Sequence, residues 1–255
     1  MSREVAYEEM YRGYTVKLVH DSDPRDPREW DNLGTMVCWH RRYNLGNTKE
    51  SENYSDAEEF FYSLAGFHID DYEYRWNGEE KCDEFLYGNK WLTSDEIVQK
   101  AMDKAQEKNL ILPLYLYDHS RISMSTGRSY PFNCRWDSMQ VGWIYVSYEK
   151  LRKEYGWKRI TPARREKAYK YLEGEVETYD SYLTGDVYGF VVEKDGDYID
   201  SCWGYFGWSE REYPLEEARA VVDAVIKQNV QEHAKKVKNW IANKVPFQYR
   251  VALQM

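Results

Sequence analysis

Cysteine is scarce in this chain. Four residues, Cys38, Cys82, Cys134 and Cys202, are spread through 255 positions with no CxxC pair among them. That spacing argues against a zinc site and against a disulfide framework, so a reducing cytoplasm is the expected compartment. The five histidines, His20, His40, His68, His119 and His233, show no metal-ligand spacing, and the stretch from His68 to Asp71 reads as an exposed acidic turn. Glycine-rich phosphate loops are missing as well: Gly185 with Gly189, and Gly204 with Gly207, lack the strand-to-helix setting such a loop needs. Neither a metal nor a cofactor is expected. Long apolar runs are absent too, none approaching the roughly 20 residues that span a bilayer. Arg3, Glu4, Glu8 and Glu9 stand where a signal peptide would carry an apolar stretch, so neither export by that route nor membrane association is expected.

What is plentiful is aromatic and acidic. Tyr (24) and Trp (10) supply most of an aromatic content of 16%, and such rings pack on one side while hydrogen-bonding on the other. The net charge of −9 is uneven: residues 1–100 hold 22 Asp and Glu against 12 Lys and Arg, whereas residues 101–255 hold 22 against 23. The acidity belongs to the first hundred residues.

The pattern of elements predicts an α+β fold, one domain over residues 1–255 with an antiparallel or mixed sheet, the alternative being a split near 92–93. Alternation marks a strand at Tyr14–His20, and two prolines among charges make residues 21–28 a loop. A compact apolar run, Thr35–His40, reads as a buried strand ending in Arg41 and Arg42. Ser55 with Glu58 suggests a capping box for a helix from Asp56 to about Leu64, and Thr93 with Glu96 a second one ending near Asn109. Between them, residues 66–92 form a hairpin or an irregular acidic, aromatic excursion. Residues 111–117 and 140–147 read as strands, Pro113 hinting at an edge or a strand start. The stretch 118–138 between them reads as a polar segment. Ser147 and Lys150 start a short helix, and Thr161-Pro162 opens a longer one to about Leu183, closed by Gly185. Asp195-Gly196 is a strong hairpin signal between strands 187–193 and 197–205. The last helix runs from about Leu215 to Asn243.

Three stretches could carry chemistry. Asp118, His119 and Ser120 follow an apolar strand, so His119 as base and Ser120 or Cys134 as nucleophile, oriented by Asp118 or Asp137, would follow the logic of an activated nucleophile. Against this, Asp118 and His119 point to opposite faces of a continuing strand, no GxSxG elbow is present, and polar caps within a long loop explain the same residues. Arg135, Asp137, Ser138 and Gln140 lie just before the next strand and could line a ligand pocket beside His119. The plainer alternative makes Trp136 and Trp143 core, has Asp137 pair with Arg135 or cap the turn, and leaves Cys134 a buried small residue. Cys38 to Tyr43 offers a thiol, an imidazole and the guanidinium pair Arg41 and Arg42, which suits carboxylate or phosphate binding, or simply a buried cysteine beside two surface arginines.

In the blocks Trp30–Gly46, Leu114–Ser120, Trp136–Ser138, Gln140–Trp143, Thr178–Asp180 and Tyr182–Gly189, the chain resembles a family of proteins encoded by bacteriophages, prophages and mobile elements. The family carries no activity that can be transferred to residues. Arg121 and Met139 stand where the family has glycine. The setting that the resemblance implies, with size and acidity, is similar to that of antirestriction and anti-CRISPR inhibitors. The expected function is therefore a non-enzymatic protein that binds a host defence nuclease or nucleoprotein complex, mimicking nucleic acid without touching it, because rows of carboxylates displace phosphates from a basic channel.

The carboxylates expected to do so are Glu58, Glu59, Asp70, Asp71, Glu79 and Glu80, with Asp83 and Glu84 beyond them. Tyr72, Tyr74 and Trp76 are the expected apolar anchors. The alternative expectation, which would admit catalysis, is a small-ligand-binding protein or hydrolase with Asp118, His119, Ser120 and Asp137 as its reactive groups and Arg41 and Gln140 as ligand contacts. The basic end of the last helix, with Trp240 on its stripe, either packs on the sheet or docks on an acidic surface, within the chain or in a homodimer.

Overall fold

The computed structural model describes residues 4–127, 130–132 and 136–246, so Cys134 and Arg135 lie outside the described residues. The chain is α+β and divides into two compact units, one formed by Asp26–Thr184 and the other by Met1–Arg25 with Gly185–Met255.

The sheet of the Asp26–Thr184 unit is built from strands that are apolar on both faces. It has the antiparallel order β3 (Thr35–Cys38), β9 (Ser138–Ser147), β7 (Asn109–His119), β8 (Arg121–Thr126). Leu110, Leu112, Leu114, Ile144 and Met36 face one side; Ile111, Trp143, Tyr145 and Val37 face the other. Two-sided burial needs cover on both faces, and helices supply it. On the first face lies α5 (Pro162–Thr184), whose Ala168, Leu172, Val176 and Tyr179 recur at helical spacing, with Leu151 of α4 (Tyr148–Tyr155) beside them. On the second lie α2 (Ala57–Ala65) and α3 (Ser94–Lys108), through Phe60, Phe61, Ile97 and Ala101. A small sheet, β4 (Tyr74–Asn77), β5 (Cys82–Tyr87) and β6 (Lys90–Thr93), attaches to this second layer through Phe85 and Leu92.

A buried ion pair fixes how the chain enters β3. The Arg28 guanidinium donates to Glu175 of α5 at 3.1 Å, to the Gly34 carbonyl at 2.6 Å and to the Asn47 side-chain oxygen at 2.9 Å. Glu175 in turn accepts from the backbone N–H of Leu33 and Gly34, and Asn47 accepts from Met36. Arg28 is thus the centre of a clamp on a segment whose charges read as plain loop.

In the other unit β1 (Val5–Tyr11), β2 (Tyr14–His20), β10 (Val187–Lys194) and β11 (Asp197–Phe206) form an antiparallel sheet in that order. Asp195 and Gly196 both have positive φ, as the two-residue turn between β10 and β11 requires. Across one face lies α6 (Glu212–Lys244), seating Leu215, Ala218 and Val222 on Tyr14, Leu18 and Phe190. Beyond Ile226 the helix leaves the sheet, and Trp240 is 60% exposed. Packing on the sheet thus ends at Ile226, while Val230, Val237 and Trp240 continue the apolar positions along the exposed helix.

Several expectations are corrected. The polar segment after Asp118 contains β8, because Ile122 and Met124 pack on the same face as Leu114 while the hydroxyls of Ser123 and Ser125 take the other register. Residues Val5–Tyr11, too polar to read as a strand, form the edge strand β1. Asp56, not Ser55, caps α2 by accepting from the Glu59 N–H, while Glu59 reaches back to Ser55. Pro113 sits in an interior strand and not at an edge. Its carbonyl accepts from Thr126 at 2.6 Å, so its missing N–H faces the side on which β8 has just ended. Among the described residues no helix is long and apolar enough to cross a membrane.

Candidate functional site

Antiparallel order brings the end of β3, the end of β7 and the start of β9 to one edge of the sheet. There the chain opens a cavity of about 600 Å³, lined among others by Arg41, Arg42, Asp118, Trp136, Asp137 and Gln140. A second, of about 590 Å³, shares Trp39, His40 and Arg41 with it and continues over Asn44, Thr48 and Ser51. Both volumes fall in the range of small-molecule sites.

A bulge aims the β9 side chains. Leu114 pairs with Gly142 and Tyr115 with Gln140, which leaves Val141 as the extra residue. Val141 therefore faces the α5 side with Ile144, and the residues before it are turned by one position relative to Trp143. Gly142 is required beneath: a Cβ there would come within 2.0 Å of the Val37 carbonyl oxygen, so β3 and β9 approach as closely as they do only over a glycine.

The walls are held by specific bonds. Trp39 donates its indole N–H to the Tyr54 carbonyl at 3.0 Å and packs edge-on against Phe60 and Trp143, which makes it a fixed wall. The His40 Nδ1 accepts from the backbone N–H of Arg42 and of Tyr43, both at 3.3 Å, and its ring stacks on Tyr43. With Nδ1 accepting, the proton of the neutral ring is on Nε2. Burial, with Arg41 and Arg42 nearby, lowers the His40 pKa below the usual imidazole value against an opposing pull from Asp118. Asp118 accepts from the Arg42 guanidinium and, at 3.3 Å, from the Tyr43 hydroxyl. Arg41 is exposed and has no hydrogen bond or ion pair among the described residues. It lies at the wall common to both cavities.

Of the residues expected around a reactive centre, Arg41, Asp118, Asp137 and Gln140 do converge on the cavity. His119 stands beside them, its Nδ1 3.5 Å from an Asp137 oxygen. Ser120 does not join. It sits at the hairpin tip between β7 and β8 with φ +56°, and its hydroxyl donates to the His119 carbonyl, so among the described residues no imidazole or carboxylate accepts from it. Cys38 is equally unsuited as a nucleophile, since burial pushes its thiol up to about 12. Trp136, expected in the core, is 96% exposed on the rim and stacks on no ring among the described residues. Trp143 does pack in the core. His40 is the imidazole expected in the Cys38–Tyr43 stretch, whereas Trp39 as a wall is not announced by the sequence beyond its place at the end of the apolar run before Arg41 and Arg42.

No family model, curated protein or solved structure matches this chain.

The acidic surface is divided by the structure. Glu58, Asp70, Asp71, Glu79, Glu80 and Asp83 are exposed. Glu84 is taken out of it: it is buried, binds Arg75 at 2.7 Å and accepts from Asn77, which hold its carboxyl below the ordinary glutamate range. Glu59 is engaged at the start of α2, where hydrogen bonds from the Ser55 N–H and hydroxyl lower its pKa. Tyr72 is half-buried against Phe67 and Tyr87, so it belongs to the support. Tyr74 and Trp76 remain as exposed rings on one face of β4, at 73% and 62%.

Proposed function

We propose that the Asp26–Thr184 unit is a binding module for a small polar ligand, held at the edge of the sheet where β3, β7 and β9 meet. One observation carries this reading: a cavity of about 600 Å³ in which Arg41, a cation without a partner among the described residues, faces the acceptors Asp118, Asp137 and Gln140. Exposed cations beside convergent acceptors fit a ligand carrying both an anionic group and hydrogen-bond donors. Residues of four of the six blocks that carry the phage and mobile-element resemblance, Trp30–Gly46, Leu114–Ser120, Trp136–Ser138 and Gln140–Trp143, line this cavity, while Met36, Val37, Leu114 and Trp143 of the same blocks pack in the core. Hydrolysis is the weaker use of the site, because the Ser120 hydroxyl is engaged in its own turn. Thermal-shift measurements against a panel of anionic metabolites test the proposal. The expected result is a rise in Tm that Arg41→Met and Gln140→Ala diminish; a panel in which nothing stabilises the protein overturns it.

A second reading rests on Tyr74 and Trp76, which stand exposed on β4 close in sequence to the carboxylates Glu79, Glu80 and Asp83. Exposed rings near a surplus of carboxylates fit a protein partner with a basic surface. In this reading the protein acts in the host bacterial cytoplasm as an accessory factor of a phage or mobile element. It blocks a defence nuclease or nucleoprotein complex through that acidic face. Co-purification from host extract followed by a salt titration tests it: a partner released by salt and lost on charge reversal at Asp70, Asp71, Glu79 and Glu80 supports it, and a partner indifferent to those changes sinks it.

A further inference from the structure

The chemistry around Arg41 narrows the ligand. We propose, resting on the pocket reading above, that the ligand is a free purine nucleoside monophosphate, with its phosphate on Arg41 and its base between Trp136 and Gln140.

Three features of the cleft converge on this class. Arg41 stands where the two cavities join, so one anionic group placed there lets the rest of the ligand extend to either side. A guanidinium with all its donors open takes a phosphate through two parallel hydrogen bonds. His40 stands at the same wall with Nδ1 occupied by backbone donors, which leaves Nε2–H as a further neutral donor for a phosphate oxygen.

Trp136 supplies the second feature. A tryptophan exposed to 96% on a cavity rim, with no ring partner among the described residues, leaves its faces open to a planar group. Stacking of a base on such a ring is sequence-tolerant and strong.

The third feature is the hydrogen-bonding edge. The Gln140 amide gives one Nε2 hydrogen to the Gly142 carbonyl at 3.5 Å and keeps the other, with its oxygen, for the paired acceptor and donor that adenine presents, while Asp118, bound by Arg42 and Tyr43, and Asp137, beside His119, line the same wall as carboxylates. Those carboxylates repel a phosphate, so the phosphate belongs on the Arg41 side and the base opposite. The ribose joins phosphate to base and so lies between Arg41 and Gln140, within the first cavity.

Titration of the full chain with AMP, adenosine, ribose 5-phosphate and a 5′-phosphorylated tetra-adenylate, followed by tryptophan fluorescence and by calorimetry, tests the assignment. AMP is expected to bind and quench, with adenosine and ribose 5-phosphate weaker by about tenfold or more. Arg41→Met is expected to lower AMP affinity about tenfold, and Trp136→Ala to lower it and abolish most of the quench. Both side chains are exposed, so neither change threatens folding, and circular dichroism verifies this. Ribose 5-phosphate binding as tightly as AMP, with Trp136→Ala silent, overturns the nucleotide assignment and leaves the pocket reading standing. Tetra-adenylate binding much more tightly than AMP overturns the free-nucleotide assignment in favour of a strand. AMP affinity unchanged in Arg41→Met, or no binding by any of these probes, overturns the inference outright; the metabolite panel then decides the pocket reading separately.

Discussion

Glu175→Gln keeps the length of the side chain and one acceptor oxygen while deleting the charge that faces Arg28. The Arg28 side chain is 2% exposed and that of Glu175 16%, with 3.1 Å between nitrogen and oxygen. Breaking a buried pair by removing one partner costs about 3–5 kcal/mol, because the remaining charge stays buried without compensation. Here the glutamine oxygen still accepts from a backbone N–H, and the edge of Glu175 touches solvent. Arg28 also keeps its bonds to the Gly34 carbonyl and to Asn47. These reduce the expected loss to about 2–4 kcal/mol. Urea unfolding followed by fluorescence should show a lower midpoint with an unchanged slope. Combining Arg28→Met with Glu175→Gln should recover part of the loss, since the stranded charge is then gone. A single variant within about 0.5 kcal/mol of the wild type would refute the clamp as a determinant of how β3 is held.

Gly142→Ala places a methyl against the Val37 carbonyl, so β3 must move off β9; a fall in Tm together with weaker ligand binding is expected, and an unchanged Tm would contradict the close approach. His40 has its pKa lowered by folding, so its neutral form favours the native state: that contribution is complete above the unfolded value of about 6.5 and is lost as pH falls toward the folded one. Stability measured from pH 7 to pH 5 should therefore fall less steeply in His40→Gln than in the wild type. Alkylation with peptide mapping at pH 8 should label Cys202, which is exposed, and spare Cys38 until denaturant is added. Val230, Val237 and Trp240 on the free end of α6 predict self-association, so light scattering at tens of micromolar should give more than one chain's mass and Trp240→Ala should lower it.

Helices and hairpins with local signals were legible from the sequence. The capping box at Thr93 and Glu96 forms as expected, with each side chain bonded to the other's backbone. Pro162 opens α5, and the Asp-Gly turn joins β10 to β11, because each is decided by neighbours in sequence. What local pattern does not carry is the partner across the sheet. The strand β1 reads as polar because it is an edge strand, mostly exposed. The burial of Arg28 depends on Glu175, far along the chain, and no window around Arg28 contains that information. The candidate site was half legible for the same reason. Asp118, Asp137, Gln140 and Arg41 announced themselves as polar residues at strand ends, but the Val141 bulge that sets their direction appears only in the pairing of β7 with β9. Trp136 misled because a tryptophan is by default a core residue.

The pairing of β2 with β10 has a consequence for how the two units are joined along the chain. These strands are antiparallel neighbours, and the chain leaves one and enters the other with the Asp21 N–H donating to the Val187 carbonyl at 2.8 Å. Two antiparallel neighbours need only a turn of a few residues between them. In this protein residues 26–184 occupy that position, so the whole cavity-bearing unit is an insertion at the tip of a hairpin. A chain in which a short turn replaces it retains all four strands β1, β2, β10 and β11 and the helix that covers them. In chain order, then, the sheet and helix of residues 1–25 and 185–255 form a continuous topology that the cavity-bearing unit interrupts at a single point.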